Sequence, residues 1–154
     1  MQSDYLDVNN YDYTGKKKSV INKMVKIMSG QLRYDSDYVY IRHYMTVYQY
    51  VPLWVLMNVL TIGQLSKIYA SQKGRIQIKV CQDFGPLKIN ELGKMLAVMT
   101  KFRNVCAHND RLFDFRTKDA LLDRNIYERL QITKEKGRYK YGKNDLYAQV
   151  IILK

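Results

Sequence analysis

The chain has 154 residues, of which 47% are hydrophobic, so it can bury a core and is too apolar for a disordered polypeptide. Its 26 Lys and Arg residues against 14 Asp and Glu residues give a formal charge of +12, which favours polyanionic partners such as nucleic acid. Two cysteines exclude a disulfide framework, and neither a signal peptide nor a membrane-spanning run is evident. We therefore expect a cytoplasmic protein that has no membrane partner.

Fourteen tyrosines are interleaved with the cations, for example in IRHYMTVYQY and GRYKYGK. Aromatic faces can stack on unpaired bases, which together with the positive charge suggests RNA as a partner. Two other interpretations stay open at this point. The tyrosines of a basic soluble protein can simply pack its core, and a basic surface can also meet an anionic membrane.

The first part of the chain predicts a series of short helices. Residues 1–18 are polar and aperiodic, and we expect a flexible N-terminal lead-in before a domain that covers residues 19–154. Asp35 or Ser36 suits the N-cap of the second helix, and Gly63 marks the end of the third. The predicted helices are SVINKMVKIM, DSDYVYIRHYMTVYQY, PLWVLMNVLTI, GQLSKIYASQ and RIQIKVCQ.

Residues 89–112 form the longest periodic segment and predict a long helix. Residues 113–125 resemble a partly extended connector, and residues 131–143 a hairpin-like loop. The last segment, residues 144–154, suits either a strand or a helix and stays apolar to its last residue. We therefore expect an all-α fold with a short hairpin-like excursion after the long helix, in a domain that is incomplete at its C-terminal end.

The long helix gathers polar groups on one side. At about 100° per residue, Arg103, Asn104, His108 and Arg111 lie opposite a broad apolar face that includes Phe102 and Cys106. An imidazole titrates near neutrality and can exchange a proton with a ribose hydroxyl, while a guanidinium can hold a phosphate. The spacing thus suits phosphodiester cleavage in RNA, although the ordinary polar face of a surface helix has the same appearance.

One Arg-Asn-His set supplies a single imidazole, whereas cleavage needs both an acid and a base. Two copies that meet across a two-fold axis would supply both, so a catalytic interpretation predicts a homodimer.

Other motifs are less favourable. GRYKYGKN differs from a phosphate-binding loop by Asn144 at the hydroxyl position and follows no evident buried strand. Cys106 and His108 have no paired partners with zinc-ligand spacing, so we expect no metal and no cofactor. We expect Cys106 and Trp54 in the core, and His43 as a packed helix residue.

The segment RNVCAH (103–108) resembles the R-x4–6-H motif of the HEPN superfamily. Two longer stretches, PLWVLMNVLTIGQLSKIY (52–69) and RNVCAHNDRLFD (103–114), resemble signature segments of the Abi-type abortive-infection proteins. The stretches RTKDA and GKNDLYA further along are also similar to that family, so the resemblance covers roughly residues 36–150.

This resemblance implies a HEPN-like helical bundle that dimerises, so that two motifs form one composite site. It implies a metal-independent endoribonuclease that leaves a 2′,3′-cyclic phosphate in a bacterial defence or toxin–antitoxin setting. Arg103 would stabilise the phosphate, Asn104 would fill the polar position after it, and His108 would be the acid or base. Arg111 would be a supporting phosphate or structural contact. The further predicted RNA contacts are Lys101 and Arg116.

The implied partners are RNA, a second copy of the chain, and an antitoxin or other regulatory protein. The alternative is a non-catalytic RNA-binding or protein-interaction module, since some HEPN proteins bind without cleaving. Relatives of this type carry more helix before the PLWV stretch and after GKNDL, so we expect the domain to be incomplete at both ends.

Overall fold

The computed structural model of the chain describes residues 2–153, with side chains from residue 3 onward. Within this range it contains nine α-helices, one 3-10 helix and one two-stranded hairpin, which confirms the all-α prediction. The chain divides into two compact units, Met1–Val80 and Cys81–Lys154. Between residues 2 and 153, no helix combines the length and the hydropathy that crossing a bilayer requires.

The elements follow one another in a simple order. They are α1 (Gln2–Leu6), a 3-10 helix (Val8–Asn10), α2 (Lys17–Gln31), α3 (Val39–Tyr48), α4 (Leu53–Met57), α5 (Ile62–Ser71), α6 (Gly74–Asp83), α7 (Ile89–Ala107), α8 (Ile126–Arg129), β1 (Lys134–Glu135), β2 (Arg138–Tyr139) and α9 (Tyr147–Ile152).

The first unit is organised around α2, which packs against α1 and α5. Ile21, Met24 and Met28 recur at helical spacing along α2 and are all buried. They share one core with Ile41 of α3 and Leu56 of α4. Burial of one apolar stripe per helix therefore holds this unit together.

The N-terminal segment is tied to this core, although its sequence predicted no regular structure. The Tyr5 hydroxyl donates to the Val51 carbonyl at 2.6 Å, and the Tyr11 hydroxyl donates to the Tyr5 carbonyl at 2.6 Å. Both rings are buried, and burial raises the pKa of Tyr5 to about 12, so its phenol stays a neutral donor at physiological pH. Side-chain hydrogen bonds to carbonyls elsewhere in the chain leave no periodic pattern in the sequence. This explains why the sequence did not predict that the N-terminal segment is attached to the core.

The helix boundaries between residues 35 and 71 also differ from the prediction. The second helix begins at Val39, and Ser36 accepts a hydrogen bond from the Tyr38 amide instead of capping a helix. The third ends at Met57, and Gly63 lies inside α5. A capping box starts α5, because Thr61 accepts from the Gln64 amide at 3.3 Å while the Gln64 side chain accepts from the Thr61 amide at 2.7 Å.

Trp54 was expected in the core, and this prediction is wrong: the residue is 65% exposed. The short helix α4 turns Val55 and Leu56 inward instead, and both are at most 2% exposed. A five-residue helix has one inward side, so the adjacent indole remains at the surface.

The second unit is built on α7, which packs against α9. Met95, Val98 and Phe102 of α7 share a core with Tyr127 and Ile151. The connector over residues 113–125 has no regular structure, and β1 pairs with β2 in an antiparallel hairpin, as the sequence predicted. The last segment, left open between strand and helix, is helical in α9.

A tight turn at Gly142 closes the second core. Its amide donates to Asp145 Oδ1 at 2.9 Å, and its carbonyl accepts from the Tyr127 hydroxyl at 2.8 Å. The φ angle of Gly142 is +83°, and a Cβ atom there would lie 2.3 Å from Ile151 Cδ1. Only glycine fits both the backbone conformation and the space.

We predict that Gly142→Ala lowers the free energy of unfolding by about 2–5 kcal/mol, since it adds overpacking to left-handed strain. Gly137→Ala is the matched control: φ is +77° there, but no heavy atom lies within 4 Å of the added Cβ. Its loss should stay near 1–2 kcal/mol, which is roughly the strain term alone. Urea denaturation followed by circular dichroism measures both, and equal losses would show that the Ile151 contact is unimportant.

Candidate functional site

The helix α7 puts the Arg-Asn-His motif on the surface. In the first turn of α7, the Glu91 carboxylate accepts a hydrogen bond from the Lys88 amide at 2.7 Å. The buried residues of α7 are Leu92, Met95, Val98, Phe102 and Val105. Arg103 and Asn104 lie outside this apolar stripe and are exposed, as the spacing predicted. His108 is exposed as well, immediately after the last residue of the helix.

The helix ends earlier than the periodicity indicated, through hydrogen bonds that reverse the chain. Asn109 has a φ of +54° and donates its amide to the Cys106 carbonyl at 3.4 Å, while the Asp110 amide donates to the Val105 carbonyl at 3.1 Å. This pattern is a Schellman motif with asparagine in the left-handed position. Arg111 therefore lies beyond the helix and is not part of its polar face.

His108 is the C-cap residue of α7, so its backbone is held firmly. Its amide donates to the Asn104 carbonyl at 3.1 Å and to the Val105 carbonyl at 3.3 Å. Arg103 Nη1 donates to Asn104 Oδ1 at 3.4 Å. Asn104 thus contacts both other members of the motif, one through its side chain and one through its carbonyl.

The side chain of His108 makes no hydrogen bond or ion pair within the part of the chain that the structure describes. The ring nitrogens therefore have no protein partner among the described residues, and a neutral imidazole has one nitrogen that accepts a hydrogen bond and one that donates. Arg103, five residues earlier in the last turns of α7, carries a guanidinium. The arrangement offers one acid–base group and one phosphate-binding cation on a fixed backbone.

The three residues predicted to contact RNA have different surroundings. Lys101 is exposed on α7, and Arg111 is exposed in the segment after it. Arg116 Nη1 instead lies 3.4 Å from Asp145 Oδ2 and 3.5 Å from Asn144 Oδ1. A phosphate at Arg116 would share the guanidinium with a carboxylate, so Lys101 and Arg111 are the freer cations.

The segment after the motif folds back onto α7. The Phe115 ring meets Phe102 edge-on, with ring centroids 5.1 Å apart, and Leu112 packs against the same core. Phe113 points outward between them and is 78% exposed. Its exposure was not predicted, and RLFDF carries no signal for it, because strict alternation would place Phe113 on the same side as Phe115.

Cys106 was expected on the buried side of α7, and this prediction is wrong because its side chain is exposed. The core cluster of the second unit includes Phe102 but neither Val105 nor Cys106; Val105 is still buried, whereas Cys106, the next residue, is exposed. Helical periodicity gives the direction of a side chain, but it cannot show where the covering layer stops.

Among the residues that the structure describes, no group of three or more His, Cys, Asp and Glu side chains is arranged to hold a metal ion. A surface cavity of about 660 Å³ lies in the first unit, where Tyr11, Tyr50 and Arg75 are among its lining residues. None of the motif residues lines that cavity. The motif residues Arg103, Asn104 and His108 are all exposed at the surface.

A comparison with known protein families gives a match over most of the chain. Residues 1–114 match the family model described as Abi-like protein, a range that includes the N-terminal segment and the whole motif. The similar stretches RTKDA and GKNDLYA lie outside it. A search of the curated proteins found no match, and a search of the solved structures found none either.

The left-handed residue that ends α7 can be tested by substitution. We predict that Asn109→Val lowers the free energy of unfolding by about 1–2 kcal/mol, because a β-branched side chain is strained at positive φ. Asn109→Gly should change it by less than about 1 kcal/mol, since glycine adopts this conformation freely. Chemical denaturation provides the comparison. Equal stability of the two variants would mean that the reversal does not constrain the end of the helix.

Proposed function

Because the chain belongs to the Abi-like protein family, we propose that it is a HEPN-type, metal-independent endoribonuclease of bacterial abortive infection. The observation that carries this proposal is the placement of Arg103, Asn104 and His108 together at the exposed end of one helix. The proposed setting is the cytoplasm, with RNA as substrate and an antitoxin or other regulatory protein as a further partner.

The proposed reaction uses the neighbouring hydroxyl of the RNA itself. One imidazole takes the proton of the 2′-hydroxyl, and the 2′-oxygen attacks phosphorus to form the cyclic phosphate. The bond to the 5′-oxygen breaks, and an imidazolium gives that oxygen a proton. Arg103 neutralises the charge that grows on the phosphoryl oxygens. Asn104 positions the guanidinium through its side-chain amide.

This scheme requires two imidazoles, and the motif contains one. We infer that the second comes from His108 of another copy, so the proposed site is composite and belongs to a homodimer. Exposure of the His108 ring supports this step, because a partner and a substrate must both reach it. The +12 charge supports RNA as the substrate, since it favours contact with phosphates.

We predict that the wild-type protein cleaves RNA in the presence of EDTA and that His108→Ala loses at least about 100-fold in rate. Arg103→Ala should lose on the order of 100-fold as well, through the transition-state charge. Arg129→Ala is the control: it removes the same charge from an exposed helix residue of the same unit and should cleave normally. The readout is the yield of cyclic-phosphate ends at matched dimer fraction.

Binding without cleavage by a dimeric wild-type protein would contradict the proposal. It would favour the non-catalytic RNA-binding or interaction module instead. Equal losses in Arg129→Ala and Arg103→Ala would show that overall charge, rather than the motif, controls the rate.

The composite site makes a second prediction, which concerns mixed dimers. When wild-type and His108→Ala chains exchange freely, activity should follow the square of the wild-type fraction, because a site needs two intact imidazoles. An equal mixture should then retain about a quarter of the activity of the same total concentration of wild type, as random pairing in a two-fold dimer requires. A linear decrease to about half would show that each copy acts alone.

A further inference from the structure

The outer side of α3 is apolar, and the described residues of the first unit leave much of it exposed. Val39, Val47 and Tyr48 are 68%, 57% and 55% exposed. At about 100° per residue they lie on one half of the helix, with Tyr40, His43 and Tyr44 between them, and the His43 ring contacts those of Tyr44 and Tyr48. The inner side carries Ile41 and Met45, which are buried.

This surface continues onto α4 through ring contacts. The Tyr44 ring lies 5.4 Å from Tyr48 and 6.0 Å from Trp54, centroid to centroid. The Trp54 ring is thereby joined to α3, while the residue stays 65% exposed. We call this surface the aromatic face; it consists of Val39, Tyr40, Tyr44, Val47, Tyr48 and Trp54.

With His43 counted as neutral at pH 7, the aromatic face carries no formal charge, in a chain whose total is +12. Arg42 is the one charged residue between residues 39 and 54, and its guanidinium donates to the Ser36 carbonyl at 2.6 Å. RNA binding draws on Lys and Arg contacts to phosphate, which this surface lacks. Aromatic residues without neighbouring lysines or carboxylates are instead typical of the core of a protein–protein interface.

We propose that the aromatic face binds the same face of a second copy. Two copies with +12 each repel one another wherever their cations meet, so they approach best where charge is absent. A two-fold contact places the same surface of each copy together, so like charges would meet there. An uncharged surface avoids this repulsion.

The size of the aromatic face agrees with this partner. An aromatic side chain buries about 150–250 Å² when it is fully covered; the rings of this face are already partly buried, so together they supply a few hundred Å², the apolar centre of such a contact. One partner of an interface of standard size contributes about 800 Å². This inference rests on the proposed function, in that the composite site needs a dimer, and it names a surface that holds the dimer together.

The single tryptophan of the chain lies in this face, so its fluorescence reports whether the face is exposed to solvent or covered. We expect Trp54 emission to shift to shorter wavelength as the protein concentration rises, in step with dimer formation in sedimentation equilibrium. Val47→Lys should raise the dimer dissociation constant at least about tenfold, because each copy then brings a cation to the contact. Val20→Lys makes the same exchange on α2, at a residue that is 38% exposed, and should leave the constant unchanged.

Two results would overturn the inference. One is a dimer that forms equally well in Val47→Lys and Val20→Lys, with both variants folded by circular dichroism. The other is a monomeric wild type whose Trp54 emission is quenched by a short oligouridylate, which would assign the face to RNA.

Failure of the interface and failure of the proposed activity have different signatures. If Val47→Lys disrupts the dimer but the wild-type dimer cleaves no RNA, the proposed interface is supported and the proposed ribonuclease activity is contradicted. If cleavage depends on His108 but Val47→Lys does not weaken the dimer, the ribonuclease activity is supported and the proposed interface is contradicted.

Discussion

The reversal of the chain at Asn109 is the constraint on which the motif depends. If α7 continued, His108 would be one more residue on a helical face, and Arg111 would lie beside it. The left-handed residue instead ends the helix with amides donated back to Val105 and Cys106. His108 becomes the last capped residue, and the chain returns so that Phe115 meets Phe102. The imidazole thus stands at a helix end with open space on its outer side.

Some of this was predictable because it depends on local order alone. The buried stripe of α7 follows from apolar spacing, and so does the exposure of Arg103 and Asn104, since helix geometry sets both. The hairpin after residue 131 follows from a Gly between polar runs. The end of α7 at Asn109 was harder to predict. Glycine is the usual left-handed residue after a helix, and asparagine takes that position only sometimes.

Predictions that required knowledge of a covering layer were wrong. Trp54 and Cys106 are apolar residues that a hydropathy pattern assigns to the core, yet both are exposed. Burial depends on whether another element packs against the residue. Trp54 lies in a helix of only five residues and Cys106 in the last turn of α7, and nothing described covers either side chain. The opposite case is Tyr5, whose polar neighbours hide its burial; the distant Val51 carbonyl that it contacts is invisible in the local pattern.

The proposed dimer face and the proposed RNA site would respond to charge in opposite ways, which would couple dimer assembly to substrate binding. Salt screens the repulsion between two +12 chains and so favours a dimer through an uncharged face. The same salt weakens the attraction of RNA phosphates to the cations near the motif. Bound RNA, however, also neutralises those cations, so it can replace salt in allowing two copies to approach. In this proposal the composite site would assemble best where its substrate is present, and the high charge would limit pairing in its absence.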